Sequence, residues 1–151
     1  MKVRSGRSNK KLSRAQEDIQ QQIKDKKIKI SQKLKRIIDT VLDKKCENIV
    51  VIDLRKFNHI ADFFVICESG SSTQTEAVVY EFKKLSKSLK SMNIRNIEFR
   101  ANAGWNVVDF GDIILHIFDR ESRSFYDLEG LWIDAKKFYV EPDGSIRLQE
   151  V

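Results

Sequence analysis

The chain has 151 residues, 41% hydrophobic and 33% charged, with a net charge of +6, which is enough for one ordinary domain and little more. No run approaches the roughly 20 apolar residues of a membrane span, and the charged N-terminus is not followed by an apolar stretch, so neither a spanning helix nor a secretory leader is expected. The two cysteines, Cys46 and Cys67, lack CxxC spacing, which disfavours a zinc or disulfide framework and fits a reduced, cytoplasmic setting.

Charge divides the chain. Residues 1–36 hold 13 Lys/Arg against 3 Asp/Glu, whereas residues 37–151 hold 15 against 19. The basicity therefore belongs to an N-terminal extension, read as residues 1–30. Its apolar residues Leu12, Ile19, Ile23 and Ile30 continue through Leu34, Ile37 and Val41 at intervals of three, four and seven. Lys26 and Lys33 interrupt that stripe, and a basic amphipathic helix is expected from about residue 12 onward. Three readings of the extension stay open: a solvated or partly disordered leader, an RNA-binding arm, and a helix for a membrane surface or coiled coil.

The domain is read as residues 31–140, with 141–151 as a C-terminal tail. Leu34, Ile37, Ile38, Val41 and Leu42 mark its first helix. Residues 49–54 form an apolar strand broken only by Asp53, which is expected to salt-bridge or cap, and residues 62–67 form a second strand. Ser72 with Glu76 reads as a helix start. That helix carries Val78, Phe82, Leu85 and Leu89 on one face and Lys83, Lys84, Lys87 and Lys90 elsewhere. Residues 94–99 are a third strand. Two further runs, 105–110 and 113–118, are separated by Gly111-Asp112, a hairpin signal. After a charged corner at 119–122, Phe125, Leu128, Leu131 and Trp132 recur at helical spacing and predict a short amphipathic helix. Continuous apolar strands need both faces covered, so the fold class is α/β: a mixed sheet flanked by helices, with a basic helical N-terminal extension.

Catalytic and cofactor motifs are absent. There is no GxGxxG, GxxxxGK[ST], GxSxG or HExxH, and His59 and His116 are too far apart in sequence to form a ligand pair. No catalytic residue, metal site or cofactor is expected. His116 alternates with Leu115 and Ile117, so it points to the opposite sheet face, either hydrogen-bonded to a neighbour or touching a partner. Alternation likewise puts Val108 and Phe110 on one side of the hairpin and Trp105, Val107 and Asp109 on the other. If helices cover the Val108 side, Trp105, Val107 and Asp109 form a partner-binding patch. Gly111 and Asp112 continue it at the turn, and Arg123, Tyr126, Leu128, Glu129 and Trp132 beyond it, because Trp, Tyr and Arg are common interface anchors. The competing reading is that Tyr126 and Trp132 only seal the sheet.

Four segments also carry a resemblance. They are ENIVVIDLRKFNHIADFFVIC (residues 47–67), SGSSTQTEAV (69–78), GWNVVDFGDIILHIF (104–118) and ESRSFYDLEGLWIDA (121–135). In this order they resemble the Iojap-type ribosomal silencing factor family. His59 departs from the small residue more usual there. The resemblance implies a non-enzymatic factor that binds the large ribosomal subunit and blocks joining of the small one, with the large-subunit ribosomal protein L-fourteen as partner. It also implies a nucleotidyltransferase-like fold and a possible homodimer. Enzymes of that fold place two carboxylates one residue apart after a Gly-Ser, to hold metal ions. Here Gly70-Ser71 is present, but Lys83 and Lys84 stand where the carboxylates are needed, and Asp109 and Asp112 straddle a turn. The alternative from another class is an assembly or RNA-binding factor acting through the basic arm, contacting ribosomal RNA.

Overall fold

The computed structural model describes residues 13–57 and 60–149, with backbone alone for residues 22–31. Leu12 and His59, and the side chains of Ile23 and Ile30, lie outside the described residues. The chain divides into two compact units, Met1–Lys33 and Leu34–Val151.

Within the first unit lies the start of α1 (Arg14–Asp43). Ser13 and Gln16 cap it reciprocally: the Ser13 hydroxyl accepts from the Gln16 N–H at 3.2 Å, and the Gln16 side chain accepts from the Ser13 N–H at 2.9 Å. This satisfies two donors that a helix start leaves open. Ile19, in the predicted stripe, is 55% exposed.

The second unit is a seven-stranded sheet: β1 (Glu47–Asp53), β2 (Phe63–Glu68), β3 (Asn96–Glu98), β4 (Trp105–Asp109), β5 (Ile113–Phe118), β6 (Lys136–Val140) and β7 (Ile146–Leu148). The spatial order is β3-β4-β5-β2-β1-β6-β7. β2 and β5 pair in parallel, and all other neighbours are antiparallel, so the expected mixed sheet is found. β5 is buried at every position and β2 at all but its last, as a central parallel pair covered on both faces requires.

One face carries Ile52, Phe64, Ile66, Ile114 and Phe118, packed with Leu128 and Ala135. The other carries Val65, Ile113, Leu115, Ile117 and Val108, all buried. Helix α2 (Ser72–Ser88) buries Thr75, Val78, Val79 and Phe82, and the Phe82 ring meets Phe110 at 5.2 Å. The cap is Ser71 with Gln74 rather than Ser72 with Glu76: Ser71 Oγ accepts from the Gln74 N–H, and Gln74 Oε1 accepts from the Gly70 N–H. Asp53 is ion-paired to Arg55 at 2.8 Å. Burial opposes its ionisation, but the hydrogen bonds from Arg55 outweigh burial and hold the carboxyl below its usual value.

Two parts of the chain differ from expectation. The predicted closing helix is two pieces, α3 (Arg120–Tyr126) and α4 (Leu128–Leu131), divided at Asp127 in the left-handed region with φ 46°. Its stripe consequently does not face inward as a unit: Leu128 is buried while Phe125 and Leu131 are 80% and 72% exposed. The segment read as a tail contains β7, which pairs with β6 across a turn where Gly144 takes φ 89°.

Candidate docking face

The face is built on the β4–β5 hairpin. Its turn needs Gly111 at φ 93°, where a side chain would be strained. The Asp109 carboxylate locks the turn, accepting from the Gly111 N–H at 2.7 Å and pairing with Arg95 at 2.8 Å. Asp112 uses its carbonyl to accept from the Asp62 and Phe63 N–H groups, tying the turn to the start of β2. Asp109, Gly111 and Asp112 therefore shape the hairpin end, four to seven residues along from Trp105.

Alternation holds as expected. Asn106, Val108 and Phe110 are buried on the α2 side, and Trp105, Val107 and Asp109 are half-buried on the other. The Trp105 indole stacks on Phe118 at 5.0 Å, meets the Tyr126 ring at 4.8 Å, and donates from Nε1 to His116 Nδ1 at 3.0 Å. His116 is thus the hydrogen-bonded residue anticipated on that face. It is 6% exposed, and burial pushes its pKa down to about 4 although Asp109 pulls the other way. Trp132, half-buried, sits edge-on to Phe57 and Phe64 at 5.6 and 6.2 Å.

Helix α3 approaches the hairpin at Gly104, where a Cβ would come within 1.9 Å of Ser122 Oγ. Asp119 caps that helix by accepting from the Ser122 N–H at 2.7 Å. Asp127 repeats the device, ending α3 and accepting from the Gly130 N–H at 3.1 Å to start α4.

Of the sequence-predicted patch, Trp105, Val107 and Tyr126 meet on one surface, with Trp132 bordering the same cluster through Phe64. Two residues are turned inward. Arg123 is 9% exposed, paired with Glu68 at 3.1 Å and Glu129 at 2.9 Å, and it donates to the Asn48 carbonyl. Leu128 is 8% exposed within the core cluster. Arg123 therefore ties α3 to the start of β1 and the end of β2, with Glu68 and Glu129 as its counter-ions. Phe125, Leu131 and Ile133, the last 73% exposed, stand out on the surface where sequence reasoning put helix core or nothing. The signal available was the Asp-Leu-Glu-Gly run, whose Asp and Gly divide a helix.

The residues that would matter to nucleotidyl chemistry lie otherwise: Gly70-Ser71 caps α2, and Lys83 and Lys84 are on its exposed side. Among the described residues no three His, Cys, Asp or Glu side chains cluster as metal ligands, and no helix is long and apolar enough to cross a membrane.

Residues 27–150 match the family model described as ribosomal silencing factor during starvation. The chain is 36% identical over 113 residues to ribosomal silencing factor RsfS of Halalkalibacterium halodurans, covering 75% of this chain and 94% of that one. It is 30% identical over 98 residues to the mouse mitochondrial assembly of ribosomal large subunit protein 1, covering 64% of this chain and 43% of the mouse protein. A crystal structure of a Chromobacterium violaceum protein superposes with a TM-score of 0.62 at 26% identity, covering 68% of this chain and 85% of that one.

Proposed function

This chain belongs to the ribosomal silencing factor family, a family of ribosome-associated translation regulators, and from that premise we propose that it represses translation by binding the large ribosomal subunit and excluding the small one. The observation that carries the reading is the surface formed by Trp105, Val107 and Tyr126, extended by Phe125, whose ring meets Tyr126 at 5.0 Å. It is an aromatic-aliphatic patch on the hairpin and α3, and the exposed acids Asp119, Glu121 and Asp127, with one exposed base, Arg120, lie in and at the ends of α3. Aromatic anchors beside exposed acids suit a protein partner with a basic surface, and ribosomal protein L-fourteen is the partner proposed. Glu129, Asp109 and Arg123 act from within, holding the patch in shape.

Occlusion needs no catalysis. A factor that binds the free large subunit but not the joined ribosome disfavours joining by RT ln(1 + [L]/Kd), roughly 2.7 kcal/mol at a hundredfold excess over Kd. The protein works in this reading as a cytoplasmic binding factor and not an enzyme. The sheet-bearing unit Leu34–Val151 is the docking domain, and residues 1–30 are a basic extension that adds ribosomal RNA contact through phosphate attraction without base specificity. When free, it can pair as a homodimer.

A second reading, assembly of the large subunit through the basic arm, draws on the 13 Lys/Arg among residues 1–36 and on the name of the mouse relative. Co-sedimentation of the purified chain with isolated large and small subunits tests the proposal. It predicts retention by large subunits alone, reduced at least tenfold by Tyr126→Ala, a typical hot-spot loss of about 2 kcal/mol. Equal retention of parent and variant refutes the docking face.

A further inference from the structure

His116 Nε2 is the buried side-chain nitrogen that has no hydrogen-bond partner among the described residues. Its other nitrogen is committed. Indole Nε1–H is a donor only, so the 3.0 Å contact from Trp105 requires Nδ1 to be the acceptor, and neutral imidazole must then carry its hydrogen on Nε2. The imidazole lies in an apolar setting: the Phe64 ring is edge-on at 4.5 Å, the Phe118 ring is nearly parallel at 6.4 Å, and in the sheet His116 is opposite Val107 and Ile66. A ring face is a weak acceptor at best.

A leucine or phenylalanine here would fill the same space without the unpaired Nε2–H, and would leave the half-buried Trp105 indole N–H without its acceptor. What the imidazole supplies and those side chains cannot is an acceptor for the Trp105 indole. Trp105 is half-buried, stacked on Phe118 and with the Tyr126 ring tilted against it at 4.8 Å. Stacking alone leaves the indole free to turn about its last side-chain torsion, which is broad for a ring. The hydrogen bond removes that freedom before any partner arrives.

We infer that His116 is a positioning residue for docking: it fixes the orientation of the Trp105 indole on the candidate face and leaves its own Nε2–H unpaired to do so. This rests on the docking reading given above. Pre-orienting an anchor raises affinity by removing the entropy otherwise lost on binding.

The test uses the full chain and the variants His116→Leu, Trp105→Phe, Trp105→Ala and the double variant of His116→Leu with Trp105→Phe. The Trp105 indole N–H resonance is assigned by its loss in Trp105→Phe, and affinity is measured against isolated large subunits. His116→Leu is expected to move and broaden the Trp105 indole resonance, to remain folded at the assay temperature, and to weaken binding about tenfold, the net worth of one hydrogen bond. The double variant is expected to bind no worse than Trp105→Phe, because the effect passes through the indole N–H. His116→Phe serves as the second variant if leucine leaves a gap, with the same expectations. An unmoved indole resonance, or a His116→Leu loss that persists fully on Trp105→Phe, overturns the positioning role while Trp105→Ala still weakens binding. Trp105→Ala binding like the parent overturns the docking reading beneath it.

Discussion

Arg123→Ala separates a surface anchor from an internal tie. The guanidinium side chain is 10% exposed, and its partners Glu68 and Glu129 are 15% and 28% exposed. Removing it strands two carboxylates and the Asn48 carbonyl together. Breaking a buried pair by deleting one partner costs about 3 to 5 kcal/mol. Because Glu129 keeps some access to water, the lower end applies, about 3 kcal/mol. For a domain of this size each kcal/mol moves Tm by about 4 °C, so Arg123→Ala should melt roughly 12 °C below the parent. Arg123→Lys recovers only part of this, since one ammonium cannot serve two carboxylates and a carbonyl as a planar fork does. Calorimetry or circular-dichroism melts supply the Tm, and co-sedimentation at a temperature where the variant is folded supplies the affinity. If Arg123→Ala melts within about 3 °C of the parent yet loses large-subunit binding, the guanidinium is an interface contact and the ion-pair account fails.

Acid should weaken the domain through His116. Its pKa is pushed from 6.5 to about 4 by burial, against the pull of Asp109, so the unfolded chain binds a proton that the folded one refuses. Stability is full above pH 6.5 and falls as pH drops toward 4, by up to about 1.4 kcal/mol per pH unit. Urea midpoints at pH 7 and 5 should show the parent losing about 2 kcal/mol more than His116→Leu, and parallel losses would contradict this. Gly104→Ala should cost about 1 to 3 kcal/mol, because its Cβ meets Ser122 Oγ at 1.9 Å and Ser122 Cβ at 2.9 Å, in the first turn of α3; an unchanged melt would show that this turn yields freely. Deleting residues 1–29 should leave most large-subunit affinity intact while flattening its logarithmic salt dependence, and collapse of binding would favour the arm-driven reading.

Long, strongly patterned elements were legible. β5 matched residue for residue, and β1, β2 and β4 to within two residues, because their apolar runs are continuous or cleanly alternating. The hairpin turn followed from Gly111, and the grouping of β4 residues by face from alternation; which face lies inward was left conditional and is set by the packing of α2 on the Val108 side. β6 and β7 escaped because Lys137 points inward, its ammonium donating to the Trp132 carbonyl at 2.6 Å and the Ala135 carbonyl at 3.3 Å. A buried lysine inverts the expected pattern, and a three-residue edge strand shows almost none. The Pro142-Asp143-Gly144 turn was the signal available.

The candidate docking patch was half legible for a similar reason. Trp105, Val107 and Tyr126 came from alternation and residue type. Arg123 looked like an exposed anchor because nothing in the local sequence reveals Glu68, 55 positions away, as its partner. Phe125 and Leu128, read on one stripe, end up one exposed and one buried, because the break at Asp127 interrupts the single continuous helix that the stripe assumes. Local periodicity assumes an unbroken helix.

Order-of-addition subunit joining bears most directly on the central claim. Large subunits are saturated with the chain, small subunits are added, and joined particles are resolved by sedimentation. The account predicts that the joined yield falls in step with occupancy, and recovers when the small subunits are added first. Equal yields with and without the chain at saturating occupancy would contradict it.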